Sequence, residues 1–224
     1  MANILCLETA STNCSVAVVS ASGITVVEDH GQNYSHGEQL HHYILDALEQ
    51  AELQQSDLDA IAVSKGPGSY TGLRIGVSSA KGLCYAHDLP LLSVPTLQSL
   101  AGQLSVQPGE MIIPLLDARR MEVYSAVFDH KFQMIRATQA EIVEESSFSP
   151  YLAQGKVHFI GTGVEKCKTV IRHKQAVFHE HKLPSAREMA AFAKAKFQQK
   201  LFEDVAYFEP FYLKEFLVTK KKSK

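Results

Sequence analysis

Short apolar runs and stretches with a helical repeat alternate along this chain. Ile4-Leu5-Cys6-Leu7 is too short for a helix and reads as a buried strand. A polar turn, Glu8 to Asn13, leads to a second strand over Cys14–Val19. Ser22-Gly23 turns again, and Ile24–Glu28 is a third strand, so the chain opens as an antiparallel meander. From Ser35 to Ala51 the spacing becomes helical, with Leu40, Ile44, Leu48 and Ala51 on one stripe. A strand over 59–64, a glycine turn, a helix over about 71–86, a strand over 89–94 and a helix over 96–104 complete a βββαβαβα order. Gln107-Pro108-Gly109-Glu110 reads as a linker.

The opening pattern then returns. Ile113 to Phe128 lies without a gap over Ile4 to Val19, with Asp117 over Glu8 and Ala126-Val127 over Ala17-Val18. The same strand, acidic turn and strand in the same order predict an internal duplication. An extended piece over 133–138, a strand over 157–160, Gly161-Thr162-Gly163 and a helix over 164–172 follow. A last helix runs from Ser185 to about Lys200, with Ser185 and Glu188 spaced as a capping box. The expectation is an α/β protein of two related lobes, 1–106 and 107–224, with mixed sheets, flanking helices and a cleft between them.

Composition narrows the function classes. The chain has 224 residues, 46% hydrophobic and 21% charged, with net charge −2. That is ordinary for a globular protein and unlike a freestanding nucleic-acid binder. The strongly basic run Lys220-Lys221-Lys222-Ser223-Lys224 reads as a solvated end. Cys6, Cys14, Cys84 and Cys167 contain no C-x-x-C pair and read as free, buried thiols. No apolar run approaches the roughly 20 residues of a membrane span, and no charged-then-apolar leader opens the sequence, so a cytoplasmic protein is expected. Of the ten histidines, His36, His41 and His42 share a helix without ligand spacing. His179 and His181 alternate as if on a strand; both sets read as surface histidines.

The candidate chemistry centres on Lys65-Gly66-Pro67-Gly68-Ser69-Tyr70-Thr71-Gly72-Leu73-Arg74-Ile75-Gly76, a glycine turn between strand and helix. Glycines at 66 and 68 suit unusual φ values, and Ser69 or Thr71 suits a helix cap. Free N–H groups at such a helix start can hold an anion. The spacing is neither a Walker loop nor Gly-x-Gly-x-x-Gly, and close helix packing explains the glycines equally well. The acidic turns offer a second possibility. In a cleft protein one carboxylate can bind Mg²⁺ while backbone N–H groups hold phosphate. The candidate weak nucleotide or anion site is therefore Glu8, Thr9, Ser11, Asp117, Arg119, Gly161 and Gly163, taking ATP or ADP weakly. The first turn lacks a glycine and the second carries bulky Arg119 and Arg120, which argues against a kinase or ATPase; Asp117 and Arg119 can instead pair with each other. No Ser-His-Asp pattern supports a peptidase.

Leu7-Glu8-Thr9-Ala10-Ser11, the glycine block, Ala80-Lys81-Gly82, Leu116 to Tyr124 and Phe208-Glu209-Pro210-Phe211-Tyr212-Leu213-Lys214 together resemble the TsaB (YeaZ) family, from residue 4 to about 214. Most of its members carry Asp in place of Glu8. The resemblance implies a two-lobed actin-like, RNase H-like (ASKHA) fold with a shortened second lobe, and a tail after about 204 returning to the first lobe. It implies a non-catalytic dimerisation subunit of the machinery that makes threonylcarbamoyladenosine at position 37 of tRNA. The implied partners are the catalytic subunit TsaD, the ATPase TsaE, and tRNA through the complex, with a homodimer when TsaD is absent. TsaD holds a metal with His-x-x-x-His; Thr96 and Leu100 stand at those positions here, and neither is a credible ligand, so no metal and no tightly bound cofactor are expected. The implied partner surface is the helix pair at about 35–52 and 71–86, with His36, Leu40, Ile44, Tyr70, Arg74, Val77, Ala80, Lys81 and Cys84.

Overall fold

The computed structural model describes residues 2–29 and 36–214, with no side chain described for His36. The basic run at 220–224 lies outside the described residues. Strands β1 (Ile4–Glu8), β2 (Cys14–Ser20) and β3 (Gly23–Asp29) precede α1 (His36–Gln50). Then come β4 (Ala60–Ser64), α2 (Tyr70–His87), β5 (Leu91–Val94) and α3 (Thr96–Ala101). The second half holds β6 (Met111–Asp117), β7 (Glu122–Phe128), β8 (Met134–Ile142), α4 (Ser149–Leu152), β9 (Val157–Ile160), α5 (Val164–Val170), β10 (Ala176–His179) and α6 (Ala186–Gln198).

The duplication is a duplication of topology. The first sheet runs β3-β2-β1-β4-β5 and the second β8-β7-β6-β9-β10. In each, the three meander strands pair antiparallel and the last two join in parallel. Two such mixed sheets flanked by helices form a two-lobed α/β fold. The second lobe is shortened on its outer side: α4 and α5 have 4 and 7 residues where α1 and α2 have 15 and 18.

Packing places every helix by its apolar side chains. Leu40, Ile44, Ala47 and Leu48 of α1 and Val77, Ala80 and Cys84 of α2 bury against Leu5, Leu7, Val16 and Val63 of the first sheet. Val164 and Cys167 of α5 do the same against Ile113, Leu115 and Phe159 of the second. The inner faces are covered crosswise. Leu97, Leu100 and Ala101 of α3, from the first half, pack on Ile112, Leu116 and Phe128 of the second sheet. Ala186, Met189, Ala190 and Ala193 of α6, from the second half, pack on Ile4, Cys6, Ala17 and Leu92 of the first. Full burial of one such side chain contributes roughly 1.5–3 kcal/mol, so each helix ties the two halves together strongly.

The gapless superposition of the halves is one residue out. Ile4 pairs with Val19, but Phe128 pairs with Ile112 rather than Ile113. A one-residue shift reverses which face a strand position occupies. Glu8 therefore shares the face of Ile4 and Cys6, beneath α6, whereas Asp117 shares the face of Ile113 and Leu115, beside α5. The last helix also differs in its cap: Ser185 Oγ accepts from Arg187 N at 3.2 Å, one position before the capping-box donor. His181 is not on a strand; it takes a left-handed turn with φ 58° after β10 ends.

Candidate functional site

The glycine block is built for contact with its own chain. Ser69 caps α2, its Oγ accepting from Gly72 N at 3.3 Å. Ser69 N in turn donates to Ala10 O at 2.7 Å. Thr9 Oγ1 donates to Gly72 O at 2.8 Å. A methyl group on Gly72 would lie 2.0 Å from Thr9 O, on Gly76 2.3 Å from Thr9 Oγ1, and on Gly68 2.5 Å from Ala10 O. Thus the β1–β2 turn sits where an anion would sit in a phosphate loop. Positive φ is needed only at Gly66, at +107°.

The residues expected to form an anion site are engaged within their own turns. Glu8 is fully buried; its Oε1 accepts from Ala10 N at 2.7 Å and Ser64 Oγ at 2.8 Å, while Oε2 has no partner. Burial pushes its carboxyl up to about 7, outweighing those hydrogen bonds. Ser11 serves the same turn, accepting from Asn13 N at 3.2 Å. Asp117, exposed at the end of β6, binds Lys166 of α5 at 2.9 Å and accepts from Arg119 N at 2.6 Å. The bond expected between Asp117 and Arg119 thus uses the backbone. Gly161 and Gly163 give room to Leu115: methyl groups there would come within 2.3 Å and 3.0 Å of its atoms.

The helix pair divides into a core face and a free face. Leu40, Ile44, Val77, Ala80 and Cys84 are at most 4% exposed and belong to this chain's own core. They are corrected here from contact residues to supports, because an apolar helix stripe must cover its own sheet first. Lys81 is likewise engaged internally, its Nζ donating to Ala206 O and Phe208 O at 3.0 and 3.1 Å. Tyr70 stacks on Tyr212 at 4.9 Å, with the Arg74 guanidinium 5.1 Å over the Tyr70 ring. What faces outward is Arg74, Ser78, Gly82 and Tyr85 on α2, with His41 and Leu45 beside them on α1. Tyr85 and Leu45 are 89% and 56% exposed. The two helices are aligned by contacts at Gly37–Ile75 and His41–Ser79.

Residues 201–214 run as a strap beside β5 and one flank of α2. Glu203 N donates to Leu91 O at 2.8 Å and Phe211 N to Lys65 O at 2.7 Å. The strap ends with Lys214 ion-paired to Glu122 of β7, bridging from the first lobe to the second.

Residues 32–222 match the family described as TsaD: tRNA N6-adenosine threonylcarbamoyltransferase. The chain belongs to the TsaD family. The tRNA threonylcarbamoyladenosine biosynthesis protein TsaB of Haemophilus influenzae is 28% identical over 97% of this chain and 96% of its own length. YeaZ from Pseudomonas aeruginosa has a solved structure that superposes with TM-score 0.83 at 27% identity, covering 95% of this chain and 100% of that one. A tRNA N6-adenosine threonylcarbamoyltransferase of Ligilactobacillus salivarius is 35% identical over 117 residues, 50% of this chain and 33% of that protein. Within the TsaD family, then, this is a chain of the TsaB (YeaZ) type.

Two residues gain meaning from that placement. Thr96 is fully buried and its Oγ1 accepts from Gly66 N at 3.1 Å; Leu100 is fully buried in the contact of α3 with the second sheet. Both are committed to packing within the chain. The pattern of polar residues gave no notice of another cluster: His158 and His179 meet ring to ring at the edge of the second sheet. In the parallel register His158 faces Val177, and His179 stands two places further along β10 on the same face, a neighbourhood that only the strand pairing reveals.

Proposed function

We propose that this chain is a non-catalytic partner subunit in tRNA threonylcarbamoyladenosine biosynthesis, pairing with a TsaD-type catalytic chain through the outward face of α1 and α2. What supports the reading is that residues 96 and 100, where the resemblance would put a TsaD-type metal pair, are taken up by internal contacts. Thr96 holds the glycine turn, Leu100 fills a core, and the turn that would cradle phosphate is filled by Thr9 and Ala10. Such a chain keeps the fold while its own side chains fill the reaction space.

The partner surface is the stripe Arg74, Ser78, Gly82 and Tyr85, with His41 and Leu45. At Gly82 a methyl group would meet nothing within 4 Å, so another helix can approach the backbone there. Tyr and Arg at its two ends are residue types that dominate interface energies. A partner with the same helix pair fits by pseudo-symmetry, and a second copy of this chain fits the same face when the partner is absent. TsaE and tRNA would join through the complex, in the cytoplasm. Among the described residues no helix is long and apolar enough to cross a membrane.

Light scattering on the chain alone and mixed with the TsaD of its own organism tests this. A homodimer giving way to a mixed complex supports the reading. Gly82→Glu and Tyr85→Glu, both at exposed positions, should abolish pairing and leave the circular dichroism spectrum unchanged. Undiminished co-elution of both variants would overturn the surface. Tight Mg-ATP binding by the isolated chain in a calorimetric titration would overturn the non-catalytic role and favour an ATP-dependent kinase or ATPase.

A further inference from the structure

The edge of the second sheet holds a hydrogen-bonded chain of titratable groups that the proposed function does not use. His158 Nδ1 lies 3.0 Å from His179 Nε2, with the rings 5.3 Å apart and nearly parallel at 20°. His158 Nε2 lies 3.1 Å from Glu110 Oε2. Lys156 binds the other Glu110 oxygen at 3.0 Å, and Gln107 N donates to Oε2 at 3.0 Å. These bonds, the one from Gln107 foremost, hold the Glu110 carboxyl at about 2. The remaining charges nearby are Lys182, whose field acts on His179, and Glu180, which is engaged by Lys168 of α5 and lies 3.9 Å from His181.

This arrangement dictates where protons sit. Glu110 is a carboxylate, so His158 Nε2 carries a hydrogen. In the neutral ring His158 Nδ1 is then an acceptor, and His179 Nε2 donates to it. One added proton leaves a single N–H between the rings whichever ring holds the charge. A second sets N–H against N–H at 3.0 Å and puts two like charges in contact.

Behind His179 lies the crossover to the first lobe. Gln103 Nε2 donates to Leu183 O at 2.6 Å, Asn13 Nδ2 to Pro184 O at 3.0 Å, and Ser99 Oγ to Ser185 O at 3.1 Å. Ser185 Oγ donates to Glu28 Oε1.

We propose that His158 and His179 form a one-proton joint. The pair keeps its bond through the first protonation and breaks at the second, releasing the end of β10 and loosening the 183–185 crossover between the lobes. Burial, His158 and Lys182 all push the His179 pKa down, which places the break below the ordinary histidine range. A pH titration of the full chain followed by NMR tests it, reading the imidazole nitrogens together with the side-chain amides of Gln103 and Asn13. The expected result is that both amide signals shift in step with the last protonation of His179. His179→Phe keeps a ring against His158 but holds no proton, and should lose that amide response across the whole titration. Silent amides while both histidines titrate, or an equal response in the variant, would overturn the joint. If the variant does not fold, the wild-type titration decides alone: two histidines titrating independently would refute it.

Discussion

Glu8→Gln isolates the most unusual carboxyl in the fold. Glu8 is fully buried, has one oxygen without a partner, and has its pKa raised from 4.5 to about 7 by burial. The folded chain therefore keeps this proton up to about pH 7, while the unfolded chain releases it near 4.5. Stability from this group is fully present below the unfolded value and is lost as pH rises through the folded one. At about 1.4 kcal/mol per pH unit, the loss across that window is about 3 kcal/mol. Glutamine cannot titrate. Its amide replaces an unpartnered oxygen with an unpartnered donor, a penalty of about 1–3 kcal/mol that does not vary with pH and so cancels in the comparison. The stability of the variant relative to the parent should rise by about 3 kcal/mol between pH 4.5 and pH 8. For a chain of this size that is a relative melting shift of roughly 6–12 °C. Melts of both proteins by circular dichroism at several pH values read it directly. A constant difference between the two curves would refute the reasoning, showing that Glu8 is ionised at neutral pH and finds a partner for its second oxygen.

Glycine substitutions separate packing glycines from an open one: Gly72→Ala, whose methyl group meets backbone, should cost at least about 2 kcal/mol in chemical denaturation, whereas Gly82→Ala, with open space around it, should gain up to about 1 kcal/mol. Tyr212→Ala removes the stack on Tyr70 that fastens the strap. It should cost about 1 kcal/mol and speed proteolysis within 201–214, measured by limited digestion.

Much of the fold was legible because the two halves repeat one order of strands and helices. The repeat located both meanders, both parallel strands of the first half and β9 of the second, but not β10. Register was not legible. β1 is buried along its whole length, so its sequence is apolar on both faces and carries no alternation to mark one side. The shorter β6–β7 turn then slid Asp117 to the opposite face from Glu8. The helix α1 announced its apolar stripe, but a stripe states only that something covers it. That this chain's own sheet covers Leu40 and Ile44, leaving Leu45 outside, needed the packing. Elements α4 and β10 have four residues each, below the length at which a period can be read. The glycine block was visible as a turn. Its true neighbours, Thr9 and Ala10, come from a distant part of the chain that no local spacing reveals.

The crosswise placement of α3 and α6 has a consequence for how the protein is made. The inner face of the first sheet, Ile4, Cys6 and Ala17, waits for Met189, Ala190 and Ala193 to cover it. Those residues leave the ribosome long after β1 and β2 do, so the first half emerges with an apolar surface open to water and to chaperones. Contacts between such distant residues are slow to form. The two halves therefore fold as one cooperative body once α6 has emerged, and a fragment ending at residue 106 exposes that face permanently.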